Sequence, residues 1–152
     1  MQLATRSPRS PRSPRSPQAE REVRRDTPLR RARTCYDHLA GIAGVTLFEE
    51  LTRRGWLSVD PGLAAAAHAP CRLSEPGRAA LRRLGVDVEQ AQSAKRAFAY
   101  ACLDWTERRP HLGGALGAAL LTALERDGVL RRAEGRTVQL STSLAAWLDA
   151  GG

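Results

Sequence analysis

The stretch HLAGIAGVTLFEELTRRGWL, residues 38–57, returns without a gap as HLGGALGAALLTALERDGVL, residues 111–130. Nine of the twenty positions are identical: the opening His-Leu, two glycines, two leucines, an arginine and the closing Gly-x-Leu. The chain therefore carries a partial copy of itself. Leu47 and Leu51 in one copy, and Leu116, Leu120 and Leu124 in the other, recur at i, i+4 and so share one face of a helix. Gly55 and Gly128 stand where a helix stops on a left-handed residue.

Downstream of each copy the same order follows. Trp56–Val59 and Cys71–Leu73 read as two short strands joined by an Asp-Pro-Gly turn and an Ala-rich loop. Ser74 then caps a helix over about 75–84, with Pro76 tolerated in its first turn. In the second copy, Val129–Arg132 and Thr137–Leu140 make a hairpin six residues tighter around Glu134-Gly135, followed by a short helix over 142–150. Upstream, Thr34-Cys35-Tyr36-Asp37 has capping-box spacing and predicts a helix running to about Ala43, a turn at Gly44 and a second helix over 46–54. Asp104 and Glu107 repeat that spacing before Pro110, which suits a helix start. A further helix over about 88–100 connects the copies.

Repeated helix, hairpin and helix is the back half of a winged helix. The expected fold is mainly α (α+β), with two degenerate winged-helix-like units, each of helices plus a two-stranded wing. Residues 34–87 form the first unit, 88–101 the connecting helix and 102–152 the second unit. Residues 1–33 are expected to be a basic, disordered tail and linker that turns helical near Leu29. Within it RSPRSPRSPRSP, residues 6–17, has proline too often for a helix and nothing to bury.

The net charge of +8 suggests nucleic acid until the charges are located. Residues 1–34 carry +7 and residues 35–152 only +1, so the body gives no electrostatic argument for phosphate binding. Arg9, Arg12 and Arg15 in the tail are the candidates for an electrostatic DNA contact, with Arg53 and Arg54 at a helix end. The helix faces expected to read bases offer Thr46, Glu49, Glu50 and Thr52 in one copy and Ala118, Ala119, Thr122 and Glu125 in the other. Carboxylates and alanines are poor partners for phosphates and base edges. Three cysteines without disulfide-framework spacing, and no apolar segment after the start methionine, predict a reduced cytoplasmic setting. No apolar run approaches the length of a membrane span. No nucleophile elbow, phosphate loop or His-Glu-x-x-His occurs, so an enzyme is not expected.

RTCYDHLAG (33–41), LSEPGRAALRRLGVD (73–87) and CLDWTERRPHLGGALGAALL (102–121) resemble the C-terminal half of ArsR-type winged helix-turn-helix transcriptional regulators. The resemblance implies a transcriptional regulator reduced to its effector-sensing and dimerisation region. The Arg-Ser-Pro tail stands where such regulators carry an N-terminal DNA-binding winged helix. A homodimer, or pairing with a related regulator, is the implied assembly, and DNA contact would come through the tail or a partner. The alternatives are a protein-interaction module that modulates a full-length regulator, or a metal or thiol sensor.

The chemistry-bearing residues are Cys35 and His38, with Cys102 and His111 in the copy, as ligands for a divalent metal. On a helix Cys35 and His38, at i, i+3, would face one ion. The histidines are equivalent in the repeat, whereas the cysteines are displaced by six positions. Asp37 and Asp104 are expected to serve as helix-start acids, and Cys71 to be core. Against the metal stands the ordinary reading of a lone cysteine as a small buried hydrophobe. Gly41, Gly44, Gly114 and Gly117 each cost about 1 kcal/mol in a helix relative to alanine, which calls for a close approach by another backbone or a ligand.

Overall fold

The computed structural model describes residues 16–18, 27–63 and 66–152, so Arg9, Arg12 and Arg15 lie outside the described residues. A single helical turn, α1 (Pro28–Arg31), leads into a hairpin of β1 (Arg33–Cys35) and β2 (His38–Ala40). The long helix α2 (Gly41–Arg53) follows, then the wing strands β3 (Leu57–Val59) and β4 (Ala69–Leu73), and α3 (Glu75–Arg83). After α4 (Val88–Ser93) the order repeats: hairpin β5 (Tyr100–Leu103) and β6 (Pro110–Gly113), long helix α5 (Gly114–Arg126), wing β7 (Leu130–Arg132) and β8 (Val138–Leu140), and α6 (Leu144–Asp149). The fold is mixed: the described residues form six α-helices and a 3-10 turn (Pro61–Leu63) with antiparallel sheets.

Several expected elements hold. The Ser74 hydroxyl accepts from the Gly77 amide at 3.1 Å at the start of α3, and Ser143 does the same for Ala146 at 3.0 Å in α6. Both wings pair as antiparallel hairpins. Thr27 caps α1, so the linker does become helical near Leu29.

The first helix of each unit does not exist. Where a helix was expected over 34–43, the chain makes the β1–β2 hairpin, with Cys35 opposite His38 and a two-residue turn at Tyr36-Asp37. The helix expected from 46 begins instead at Gly41 and runs through Gly44. In the copy, Pro110 opens strand β6 rather than a helix. Each copy of the repeat is thus hairpin, helix, hairpin, helix, with a β-hairpin where the opening helix was expected. The connecting helix also ends early, at Ser93. The segment beyond it is used otherwise: the carbonyls of Ala97 and Phe98 accept from the amides of Ala115 and Leu116 at 2.9 and 2.7 Å, satisfying free donors in the first turn of α5.

The two units exchange edges. Strand β5 of the second hairpin pairs with β4 of the first wing, giving a sheet of order β3-β4-β5-β6. Reciprocally, β1 of the first hairpin lies on β8 of the second wing, through an Arg33–Thr137 bridge and bonds from the Thr34 amide to Arg136 (2.9 Å) and from the Val138 amide to Ala32 (3.2 Å). One continuous core takes Leu39, Leu47 and Leu51 from the first unit with Leu112, Leu120 and Leu124 from the second.

Candidate metal centre

Because each hairpin is laid on the other unit's wing, their histidine-bearing strands meet in the middle. Gly44, in α2, and Gly117, in α5, make the approach possible. A Cβ on Gly44 would stand 2.4 Å from the Leu39 carbonyl oxygen and 3.2 Å from His111 Cβ. A Cβ on Gly117 would stand 2.5 Å from the Leu112 oxygen and 3.1 Å from His38 Cβ. Gly44 and Gly117 each give room to the histidine of the opposite unit, whereas Gly41 and Gly114 face the backbone oxygens of Arg30 and Phe98.

The result brings all four candidate ligands together. One ligand atom each from Cys35, His38, Cys102 and His111 lies within 4.8 Å of the others. The six-residue displacement of the cysteines in the repeat is a difference in hairpin loop length. Cys102 is paired across its hairpin with His111, as Cys35 is with His38. The rings of His38 and His111 lie 5.0 Å apart, tilted by 47°. Both histidines are buried, whereas Cys35 and Cys102 are partly exposed, so the sulfurs form the mouth of the site and the imidazoles its floor.

The ring nitrogens divide by role. His111 Nδ1 is 3.0 Å from Asp104 Oδ1, and His38 Nδ1 is 3.4 Å from Asp37 Oδ1. A carboxylate on Nδ1 fixes the tautomer that leaves Nε2 as a bare lone pair. Both Nε2 atoms are buried, with no hydrogen-bond partner among the described residues. A buried, unpaired acceptor costs about 1–3 kcal/mol. The two histidines that carry these nitrogens stand in one group with two sulfurs, a donor set that could hold a metal ion.

Asp104 is neither a helix-start acid nor exposed. Its carboxylate accepts from the amides of Thr106 (3.1 Å) and Glu107 (2.9 Å) in the β5–β6 loop, which is the capping geometry the spacing encoded, realised in a turn. It also accepts from the Gly41 amide at 2.7 Å and from Arg33 Nη2 at 3.0 Å on both oxygens. Burial opposes its ionisation, but His111, Arg33 and the amides outweigh that and hold it well below the usual carboxylate range. Arg33 is itself fully buried, donates to the Leu29 carbonyl and lies over the Trp105 ring. Asp37, in the β1–β2 turn, is the weaker counterpart. It is partly exposed and paired with Arg96, which offsets its burial and lowers its pKa.

The closeness of Cys102 and of the two histidines pulls the Cys35 thiol well below its ordinary value, while the same closeness to Cys35, together with burial, pushes Cys102 up. Burial opposes a charge on His111, but Asp104 and the Cys35 sulfur prevail and raise its pKa. Cys71 is core as expected, its thiol pushed up to about 11 by burial.

Over 125 residues the chain is 38% identical to a protein of Bacillus subtilis (strain 168) named "Uncharacterized HTH-type transcriptional regulator YdfF". The match takes in 81% of this chain and 52% of that protein, so the chain spans about half the length of the curated relative it matches. No protein-family model matches the chain, and no solved structure matches it significantly. The similarity is to a regulator and not to an enzyme, in line with the absence of a catalytic motif in the sequence.

The arginines proposed for DNA fare differently from the metal ligands. Arg53 pairs with Glu50 at 2.7 Å. Arg54 is spread over Glu50, Asp149 and the Ala145 carbonyl and lies over Trp56. The Arg53 side chain stays mostly exposed, whereas that of Arg54 is largely covered. Among the described residues, no helix is long and apolar enough to cross a membrane. Arg33, Arg96 and Thr106 were not singled out by sequence reasoning. The signal available was the pair Asp37 and Asp104, noticed but assigned to helix starts.

Proposed function

We propose that this chain is the effector-sensing region of a transcriptional regulator of ArsR type, and that its effector is a thiophilic divalent metal held by Cys35, His38, Cys102 and His111. The observation that carries the reading is the convergence of two sulfurs and two buried, unpartnered Nε2 atoms, with a carboxylate behind each imidazole. A tetrahedral site with bonds of about 2.0–2.3 Å sets its donor atoms about 3.3–3.8 Å apart, so a set already within 4.8 Å needs only a small contraction. Two thiolates and two imidazoles suit zinc and its thiophilic neighbours, and not the oxygen-seeking magnesium or calcium.

Each residue has a role in that reading. His38 and His111 offer lone pairs oriented by Asp37 and Asp104. Cys35 and Cys102 supply the negative charge and the open side through which an ion enters. Since each hairpin gives one Cys and one His, binding cross-links the two units. The hairpin in place of a first helix, and the pairing of Glu49 and Glu50 of α2 with arginines of this chain, support a unit that packs and senses instead of reading bases, with any DNA recognition or dimerisation supplied by segments outside the described residues or by a partner. Native mass spectrometry of the reduced chain loaded with zinc tests the reading. One zinc per chain, lost in Cys35→Ser with Cys102→Ser, is the expected result; an unchanged mass overturns it.

A further inference from the structure

We infer that Cys35 and Cys102 are also a redox-modification site, which a peroxide-class oxidant converts to a disulfide across the two hairpins, removing both sulfur ligands from the metal centre. The second half of this inference rests on the metal reading above; the first half does not. The two sulfurs come from different units, β1 and β5, and belong to a group of atoms all within 4.8 Å of one another. They are the partly exposed members of that group, whereas the histidines behind them are 2% and 1% exposed. Cys71, the third thiol, is buried in the core.

The approach to the pair is open. Tyr36, in the turn immediately after Cys35, is 87% exposed, and Cys35 and Cys102 are themselves partly exposed. Tyr36 also takes a φ of +56°, a left-handed conformation that a bulky residue rarely adopts, so the turn beside Cys35 is held under strain. A small oxidant therefore reaches sulfur before it reaches any other ligand atom.

The chemistry balances with the peroxide as sole oxidant. One sulfur attacks a peroxide oxygen, the O–O bond breaks, and a sulfenic acid and one water result. The second sulfur then attacks the sulfenic sulfur, the S–S bond forms, and a second water leaves with the remaining protons. Two thiols lose two electrons and one hydrogen peroxide gains them. An external dithiol reverses the step by exchange. With both sulfurs bonded to each other, only His38 and His111 remain as ligands.

The test treats the full reduced chain, metal-free and zinc-loaded in parallel, with stoichiometric hydrogen peroxide. The expected result is a mass loss of about 2 Da, one cross-linked peptide pair containing Cys35 and Cys102, Cys71 still open to alkylation after unfolding, and restoration by dithiothreitol. The zinc-loaded sample releases its zinc to a chromophoric chelator in step with the cross-link, and Cys71→Ser changes none of this. Oxidation of single cysteines to sulfinic acid without a cross-link, a bond involving Cys71, or a disulfide between two chains overturns the inference. If the reduced chain takes up no zinc yet forms the Cys35–Cys102 bond, the metal reading fails and the redox site stands. If zinc binds and the bond does not form, the redox site alone falls.

Discussion

Asp104 touches five partners: Arg33, the Gly41 amide, Thr106, the Glu107 amide and His111. It ties a metal-ligand candidate to the start of α2 and, through Arg33, to the carbonyl of Leu29 in α1. Asp104→Asn removes the counter-charge of a fully buried arginine, and losing one partner of a buried pair costs about 3–5 kcal/mol. The same change strips His111 of its carboxylate, and such losses lower metal affinity about 10–100-fold. Urea unfolding and chelator competition on the variant measure both. Asp37→Asn, at a partly exposed site 3.4 Å from its histidine, is expected to cost less than about 1 kcal/mol. Equal effects of the two substitutions would contradict the asymmetry between the two halves. The importance of these acids was half legible in the sequence. The Asp104 spacing did announce a carboxylate that binds amides two and three residues on, but the buried arginine that completes its role lies 71 positions upstream.

The hairpins β1–β2 and β5–β6 show why local pattern led away from the structure. Thr34 to Asp37 has capping-box spacing, and Cys35 and His38 sit at helical separation, so nothing nearby contradicts a helix. What favours the strand is β8, whose neighbour Thr137 bridges to Arg33 from across the sequence. Wings, α3 and α6 were legible because their signals, a capping serine and a turn, are local. The four residues that meet were legible as candidates through the repeat, although not the loop-length difference that brings the cysteines into equivalence. Gly44 and Gly117 are the element-level test. Alanine at either position drives a methyl into a backbone oxygen and a histidine Cβ, so Gly44→Ala and Gly117→Ala are each expected to destabilise by about 1–3 kcal/mol and to weaken metal binding. Gly128→Ala is the control. Its φ of +72° makes alanine costly by about 1 kcal/mol, but no atom lies within 4 Å, so affinity should be retained. Loss of affinity in the control as well would mean that general loosening, and not displacement of the histidines, is responsible.

Taken together, the two units form one folding entity, since β5 extends the sheet of β3 and β4, an Arg33–Thr137 bridge joins β1 to the other hairpin, and the leucines of both fill one core. A fragment covering residues 27–93 is therefore expected to remain unfolded by circular dichroism, because its β1 strand lacks β8 and its wing lacks β5. A cooperatively folded fragment would contradict that interdependence. The full chain should melt in a single transition, raised by metal in proportion to the logarithm of its concentration, because the ion ties together two units that must separate on unfolding. Titration of the reduced, metal-free chain with cobalt(II), followed by visible absorption, addresses the central claim most directly. The account predicts one ion per chain, intense ligand-field bands of a tetrahedral centre, thiolate-to-cobalt charge-transfer bands that fall by about half when either Cys35 or Cys102 is replaced by serine, and displacement by zinc. Weak octahedral bands, or a tetrahedral spectrum that survives loss of both Cys35 and Cys102, would contradict it.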